Sequence, residues 1–190
     1  HFLRPPAAAF ALIREAKIMQ NLMLGFGLLV ICYYDARYRR IPNILTLTLI
    51  TFGIVFNLMT RGISGLSVTL LGLSVGMVLL IIPYITGGIG AGDVKLLGAI
   101  GAVLGAQFVV ATFLYGAILG GIWSIALLIK KSGLKPSIEK FYWNLLAVMP
   151  YNTIKPIGLK TISTDKEFSV PYGIVISLGV LLVWFIGVPF

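Results

Sequence analysis

GGIGAGDVKLLG, residues 87–98, joins two long apolar runs and contains Asp93, one of only six acidic residues in the chain. A second acid beside apolar sequence is Asp35, in YDARYRRIPN at residues 34–43. Charged groups at membrane depth are costly, so they normally face a bundle interior or a water-filled cavity. The two carboxylates are therefore predicted to form one site.

The composition is typical of a membrane protein. Of the 190 residues, 58% are hydrophobic and 11% are charged, whereas soluble domains carry about 25% charged residues. Apolar runs near the length of about 20 residues that spans a bilayer recur along the chain. The predicted fold class is all-α, a polytopic membrane protein with six transmembrane helices. The predicted spans lie at about 18–34, 43–60, 66–86 and 172–188, with two more sharing 94–129 and separated by a break near residues 105–107.

Two further segments complete the predicted organisation. Residues 1–17 are predicted to be an N-terminal tail or interfacial helix, ahead of a membrane domain at 18–190. The long hydrophilic loop at about 130–171 carries apolar residues at helical spacing between 138 and 149, which predicts an interfacial helix on the membrane surface.

Basic residues predict the orientation. Loops one, three and five hold eleven Lys and Arg residues, while the opposite side holds four, at Arg4, Arg14, Lys17 and Arg61. The positive-inside rule then places these three loops in the cytoplasm and both termini outside. Because orientation explains the net charge of +9, no nucleic-acid partner is predicted. The single cysteine, Cys32, excludes an intrachain disulfide and a cysteine-built zinc site.

The order of the spans relates the two acids. Asp35 ends the first span and Asp93 begins the fourth, and two crossings return the chain to the same face. Two neighbouring carboxylates cannot both ionise easily and therefore share a proton. One can then act as a general base toward water and the other as a general acid toward a carbonyl, as in aspartic proteases. Gly90 and Gly92 would leave room for an extended substrate backbone beside Asp93.

Structural roles remain open for the same residues. Asp35 is also placed to pair with Arg37, Arg39 or Arg40, and Asp93 to act as the N-cap of the fourth span. Two other function classes fit two membrane-embedded acids. These are a proton-coupled transporter and a non-catalytic membrane subunit of a pilus assembly or secretion system.

Three segments together resemble the type IV prepilin peptidase family, the GxGD aspartic proteases. They are Asp35 with RIPN at 40–43, GAGDVKL at 90–96, and PYG at 171–173, and the resemblance covers about residues 18–188. The resemblance implies a catalytic pair of Asp35 and Asp93 that acts without metal or cofactor. It also places six residues beside the substrate: Gly90, Gly92, Lys95, Pro171, Tyr172 and Gly173.

The same resemblance implies the substrate and the location. An aspartic endopeptidase of this family would remove the short leader of prepilins or pilin-like proteins at the cytoplasmic face of the inner membrane. Its partners would be the substrate helix and the lipid bilayer. Many family members carry a cysteine-rich methylase domain with paired Cys-x-x-Cys motifs. With one cysteine, this sequence is expected to be the short form without that domain, and 18–190 to be the peptidase domain.

Overall fold

The computed structural model describes residues 7–85, 88–132 and 172–187, with side chains at 14–85, 88–126 and 172–187. Every regular element within these ranges is a helix and none is a strand, which confirms the all-α prediction. The helices are α1 (Ala7–Tyr38), α2 (Asn43–Arg61), α3 (Ile63–Ile85), α4 (Ala91–Leu104), α5 (Ala106–Ser132) and α6 (Tyr172–Ile186). Residues 133–171 of the long loop lie outside the described residues, and they include the predicted interfacial helix at 138–149 and the predicted site residue Pro171.

Four stretches of these helices are long and apolar enough to cross a membrane: Arg14–Tyr38, Asn43–Arg61, Ile63–Ile85 and Ala106–Ala126. The chain is therefore a multi-pass membrane protein. Helices α4 and α6 have 14 and 15 residues, or about 21–23 Å at a rise of 1.5 Å per residue. This is short of a hydrocarbon core about 30 Å thick. A helix lies at each predicted span, while the count of six crossings stays a prediction.

Helix α1 runs unbroken from Ala7 to Tyr38, so it begins within the predicted tail. The boundary at residue 17 stays a prediction. Helices α1 to α4, α5 as far as Ala117, and α6 belong to one compact unit, and the rest of α5 belongs to a second. Both aspartates lie in the first unit.

Helix α4 forms the centre of that unit and packs against α1, α2, α3 and α6. All its residues from 96 to 103 are buried, as expected of a helix that is apolar on every side. Helix α3 approaches it at Gly72 and Gly101. A Cβ built on Gly72 would lie 1.9 Å from the carbonyl oxygen of Gly101. A Cβ built on Gly101 would lie 2.1 Å from the carbonyl oxygen of Gly72. Backbone contact through small residues is how membrane helices commonly pack.

The predicted break between the fourth and fifth helices is confirmed. Gly105 separates α4 from α5 with a φ of 92°, and its N–H donates to the carbonyl of Gly101 at 2.7 Å. Residues other than glycine rarely adopt a positive φ, so a glycine is suited to ending α4 here.

Two side-chain amides satisfy the buried carbonyls at the end of α4. The last carbonyls of a helix have no partner within it, and an unpaired backbone group is costly in a membrane. Nδ2 of Asn57 donates to the carbonyls of Ala102 at 3.1 Å and Val103 at 3.2 Å, and to Oγ1 of Thr69 at 3.0 Å. Nε2 of Gln20 also donates to Val103. These contacts allow α4 to end inside the bundle.

Replacing Asn57 by Ala is expected to destabilise the protein. Asn57 is 1% exposed, and its loss leaves buried carbonyls short of donors, at a cost of about 1–3 kcal/mol in the free energy of unfolding. Thermal unfolding in detergent measures the change. Asn21→Ala, the same substitution at an exposed position of α1, is the matched control and should leave the midpoint near that of the parent. Equal midpoints for both variants would contradict this role of Asn57.

Candidate active site

Asp35 lies in the last turn of α1 and is 6% exposed. The helix ends just beyond it, where Arg39 has a φ of 52° and donates its N–H to the carbonyl of Asp35 at 3.0 Å. The N–H of Ile174 donates to Oδ2 of Asp35 at 3.3 Å, and the N–H of Gly173 also hydrogen-bonds this carboxylate. The start of α6 therefore holds the side chain at the end of α1.

Of the three arginines predicted as partners of Asp35, Arg39 is one whose charge acts on its carboxylate. Backbone amides at the start of α6 donate to the same carboxylate. Sequence reasoning missed these donors. The available signal was the PYG motif at 171–173, which marks the start of a helix whose first N–H groups have no partner within that helix.

Asp93 is the third residue of α4 and is 9% exposed. The N-cap position itself belongs to Gly90. Its N–H donates to Oδ2 of Asp93 at 3.2 Å, and the Asp93 N–H donates to the Gly90 carbonyl at 3.1 Å. Asp93 thus contributes to capping α4 from the third position rather than from the N-cap. The contact with Gly90 uses only one carboxylate oxygen of Asp93, Oδ2. A capping role and a chemical role for Asp93 are therefore compatible.

The structure brings the two carboxylates together. Asp35 and Asp93 are close enough for their charges to interact, and the half-buried phenol of Tyr172 interacts with Asp93. The end of α1, the start of α4 and the start of α6 therefore meet at one place, as the order of the spans predicts. Among the residues described with side chains, no group of three or more His, Cys, Asp or Glu could hold a metal ion.

Ile41 packs between two of the predicted site glycines. A Cβ on Gly92 would lie 3.1 Å from Cβ of Ile41, and one on Gly173 would lie 3.2 Å from its Cδ1. In this structure Ile41 lies beside Gly92, where space for a substrate backbone was predicted. Gly90, the other glycine of that prediction, is exposed. Sequence reasoning missed Ile41, although it lies within the RIPN segment.

Lys95 connects two of the predicted segments. Its Nζ donates to Oδ1 of Asn43 at 3.0 Å, so α4, two residues beyond Asp93, is joined to the first residue of α2. A substrate role for Lys95 stays a prediction.

Comparison with known proteins identifies relatives of this region. The family model of the type IV leader peptidase family matches residues 22–125, a segment that contains both aspartates. The chain is 34% identical over 104 residues to the prepilin leader peptidase/N-methyltransferase of Bacillus subtilis (strain 168), which covers 52% of this chain and 40% of the relative. It is 36% identical over 120 residues to the protein of the same name from Xanthomonas campestris pv. campestris, covering 54% and 42%.

A third relative of that name, from Aeromonas hydrophila, is 32% identical over 133 residues, covering 66% of this chain and 46% of the relative. The chain thus spans less than half the length of these curated relatives. No solved structure matches it significantly.

Proposed function

Because this chain belongs to the type IV leader peptidase family, we propose that it is a membrane aspartic endopeptidase that removes the short leader of type IV prepilins or pilin-like proteins. The observation that carries the proposal is the proximity of the Asp35 and Asp93 carboxylates, whose charges interact in a buried site within the matched segment. Two such groups suffice for general acid–base catalysis of peptide hydrolysis.

The surroundings of the two carboxylates suggest how the roles divide. Asp35 accepts hydrogen bonds from two backbone amides and lies near the positive charge of Arg39, so more favourable partners face its carboxylate than face that of Asp93. Asp93 accepts one backbone hydrogen bond, from Gly90. In the proposed reaction Asp35 is therefore the charged partner, and Asp93 holds the shared proton.

The proposed reaction uses one water molecule. Asp35 takes a proton from the water molecule while the water oxygen attacks the scissile carbonyl carbon. At the same time Asp93 donates its proton to the carbonyl oxygen. When the tetrahedral intermediate collapses, the C–N bond breaks and the leaving nitrogen takes the proton from Asp35. The intermediate's hydroxyl returns a proton to Asp93, which restores the starting state for the next cleavage.

The proposed site faces the cytoplasm. Arg37, Arg39 and Arg40 are exposed at the end of the bundle that holds the two aspartates, and the positive-inside rule places such clusters in the cytoplasm. In this proposal α4 and α6 complete six crossings, with both termini outside. The exposed Gly90 would lie beside the substrate backbone, and Tyr172, half-buried next to Asp93, would contact the peptide near the scissile bond.

The test is cleavage by the purified chain reconstituted in liposomes with a prepilin-like substrate, a short basic leader followed by an apolar helix. We expect a single cut between leader and helix, identified by mass spectrometry of both fragments. The same liposomes with a trapped pH dye test the alternatives. Proton flux without cleavage would favour a transporter, and neither signal would favour a non-catalytic subunit.

A further inference from the structure

A cleft lies at the opposite end of the bundle from the two aspartates. It has a volume of about 590 Å³ and is lined by α1 near Lys17, by Arg61 at the end of α2, by the α4–α5 junction and by α6 near Trp184. Lys17 precedes Asp35 by 18 residues of continuous helix, or about 27 Å at a rise of 1.5 Å per residue. The cleft is therefore separate from the proposed active site.

The side chains of this cleft favour an anionic ligand. Lys17 and Arg61 both line it, together with the amide side chains of Gln20, Asn21 and Gln107, and none of its described lining residues is acidic. The C-terminus of α4 and the N-terminus of α5 meet at Gly105, so their opposite helix dipoles largely cancel. The two cationic side chains thus make the electrostatic potential in the cleft positive.

The position of the cleft points to a lipid rather than a dissolved anion. Arg61 is the last residue of a membrane-capable helix, Asn43–Arg61, and Lys17 of α1 lines the same cleft. The end of a membrane-spanning helix lies where a bilayer has its headgroups. The walls include apolar side chains such as Val68 and Leu71, which suit acyl chains, and Trp184 is typical of the membrane interface.

We infer that this cleft binds the phosphate headgroup of an acidic phospholipid from the leaflet opposite the proposed active site. Arg61 can contact phosphate oxygens through two N–H groups at once, while Lys17 supplies a point charge. Basic pockets between membrane helices bind acidic headgroups on the cytoplasmic side of membranes, and the same charge complementarity applies to a basic cleft in the opposite leaflet. The exposed amides of Asn21 and Gln107 can donate to the remaining headgroup oxygens.

Quenching of Trp184 fluorescence tests the inference. The full chain with Trp123→Phe and Trp143→Phe retains Trp184 as its single tryptophan. In phosphatidylcholine micelles it is titrated with phosphatidylglycerol or phosphatidylcholine carrying brominated chains. We expect stronger quenching by the acidic lipid, with a preference of about fivefold for each cationic side chain. Lys17→Gln with Arg61→Gln should reduce the preference to about one.

Two control variants and a competition with inorganic phosphate make the result decisive. Arg14→Gln removes an exposed cation of α1 that does not line the cleft and should leave the preference unchanged. Lys17→Arg with Arg61→Lys keeps both charges and should keep the preference, which guards against misfolding of the neutral variant. Equal quenching by the two lipids, an equal loss with Arg14→Gln, or displacement of the lipid by millimolar inorganic phosphate would overturn the inference. The assay needs no cleavage, so its outcome is independent of the proposed peptidase activity.

Discussion

Cleavage of a prepilin-like substrate is expected to fall about 10²–10⁴-fold when either Asp35 or Asp93 is replaced by Asn, the range that general acid–base groups contribute. The amide keeps the size of the carboxyl group and an oxygen that can accept the backbone N–H of Ile174 or Gly90. It cannot exchange a proton with water or with a carbonyl. Each variant therefore removes the proposed chemistry and leaves the local packing in place. Rates are measured on the reconstituted protein at equal amounts of membrane-inserted enzyme.

The control for this pair is Glu15→Gln, which makes the same chemical change at an exposed position of α1 and should cleave at the parental rate. If only one aspartate proves essential, the shared-proton mechanism is wrong and the other keeps its structural role. Parental rates in both Asn variants would contradict the peptidase proposal itself. Since Asp93 also contacts the N-cap residue of α4, its variant needs an unfolding midpoint measured beside the rate.

The helices were predictable because their signals are local. The stretch 94–129 would be about 54 Å long as one helix, so the sequence required a break, and the structure has it at Gly105. Apolar length was a weaker guide to membrane crossing. Helices α4 and α6 lie where spans were predicted but are too short to qualify by length alone, because α4 ends inside the bundle where Asn57 and Gln20 donate to its carbonyls.

The site was predictable only in part, for a related reason. The order of the spans places Asp35 and Asp93 at the same end of the bundle without specifying their lateral neighbours. The contacts around them join residues far apart in the chain, such as Ile174 with Asp35 and Ile41 with Gly92. Neither composition nor periodicity carries information on which helices adjoin. The sequence could thus indicate the acids and glycines, but not the amides of α6 or the packing of Ile41.

Gly173→Ala is the second change from which we expect a large effect, because it displaces Asp35 without altering any acid. A Cβ at this position would lie 2.8 Å from Oδ2 and 3.1 Å from Cγ of Asp35. The carboxylate must move away, which lengthens its hydrogen bonds to the amides of Gly173 and Ile174. A shift of about 1 Å in a catalytic group can cost about 10²-fold in rate. We expect a loss of that order in kcat, with little change in KM.

Gly121→Ala is the matched control, because a Cβ there meets no atom of the described residues within 4 Å and alanine is favoured over glycine in a helix. It should cleave at the parental rate. The methyl group at 173 would also approach Ile41 at 3.2 Å, so a general packing defect must be distinguished from displacement of Asp35. Gly92→Ala makes that distinction: its Cβ would meet Ile41 at 3.1 Å, and no atom of Asp35 is among its nearest contacts. If Gly92→Ala lowers kcat as far as Gly173→Ala does, the loss in Gly173→Ala is not specific to displacement of Asp35. If only Gly173→Ala does so, the position of the Asp35 carboxylate controls the rate.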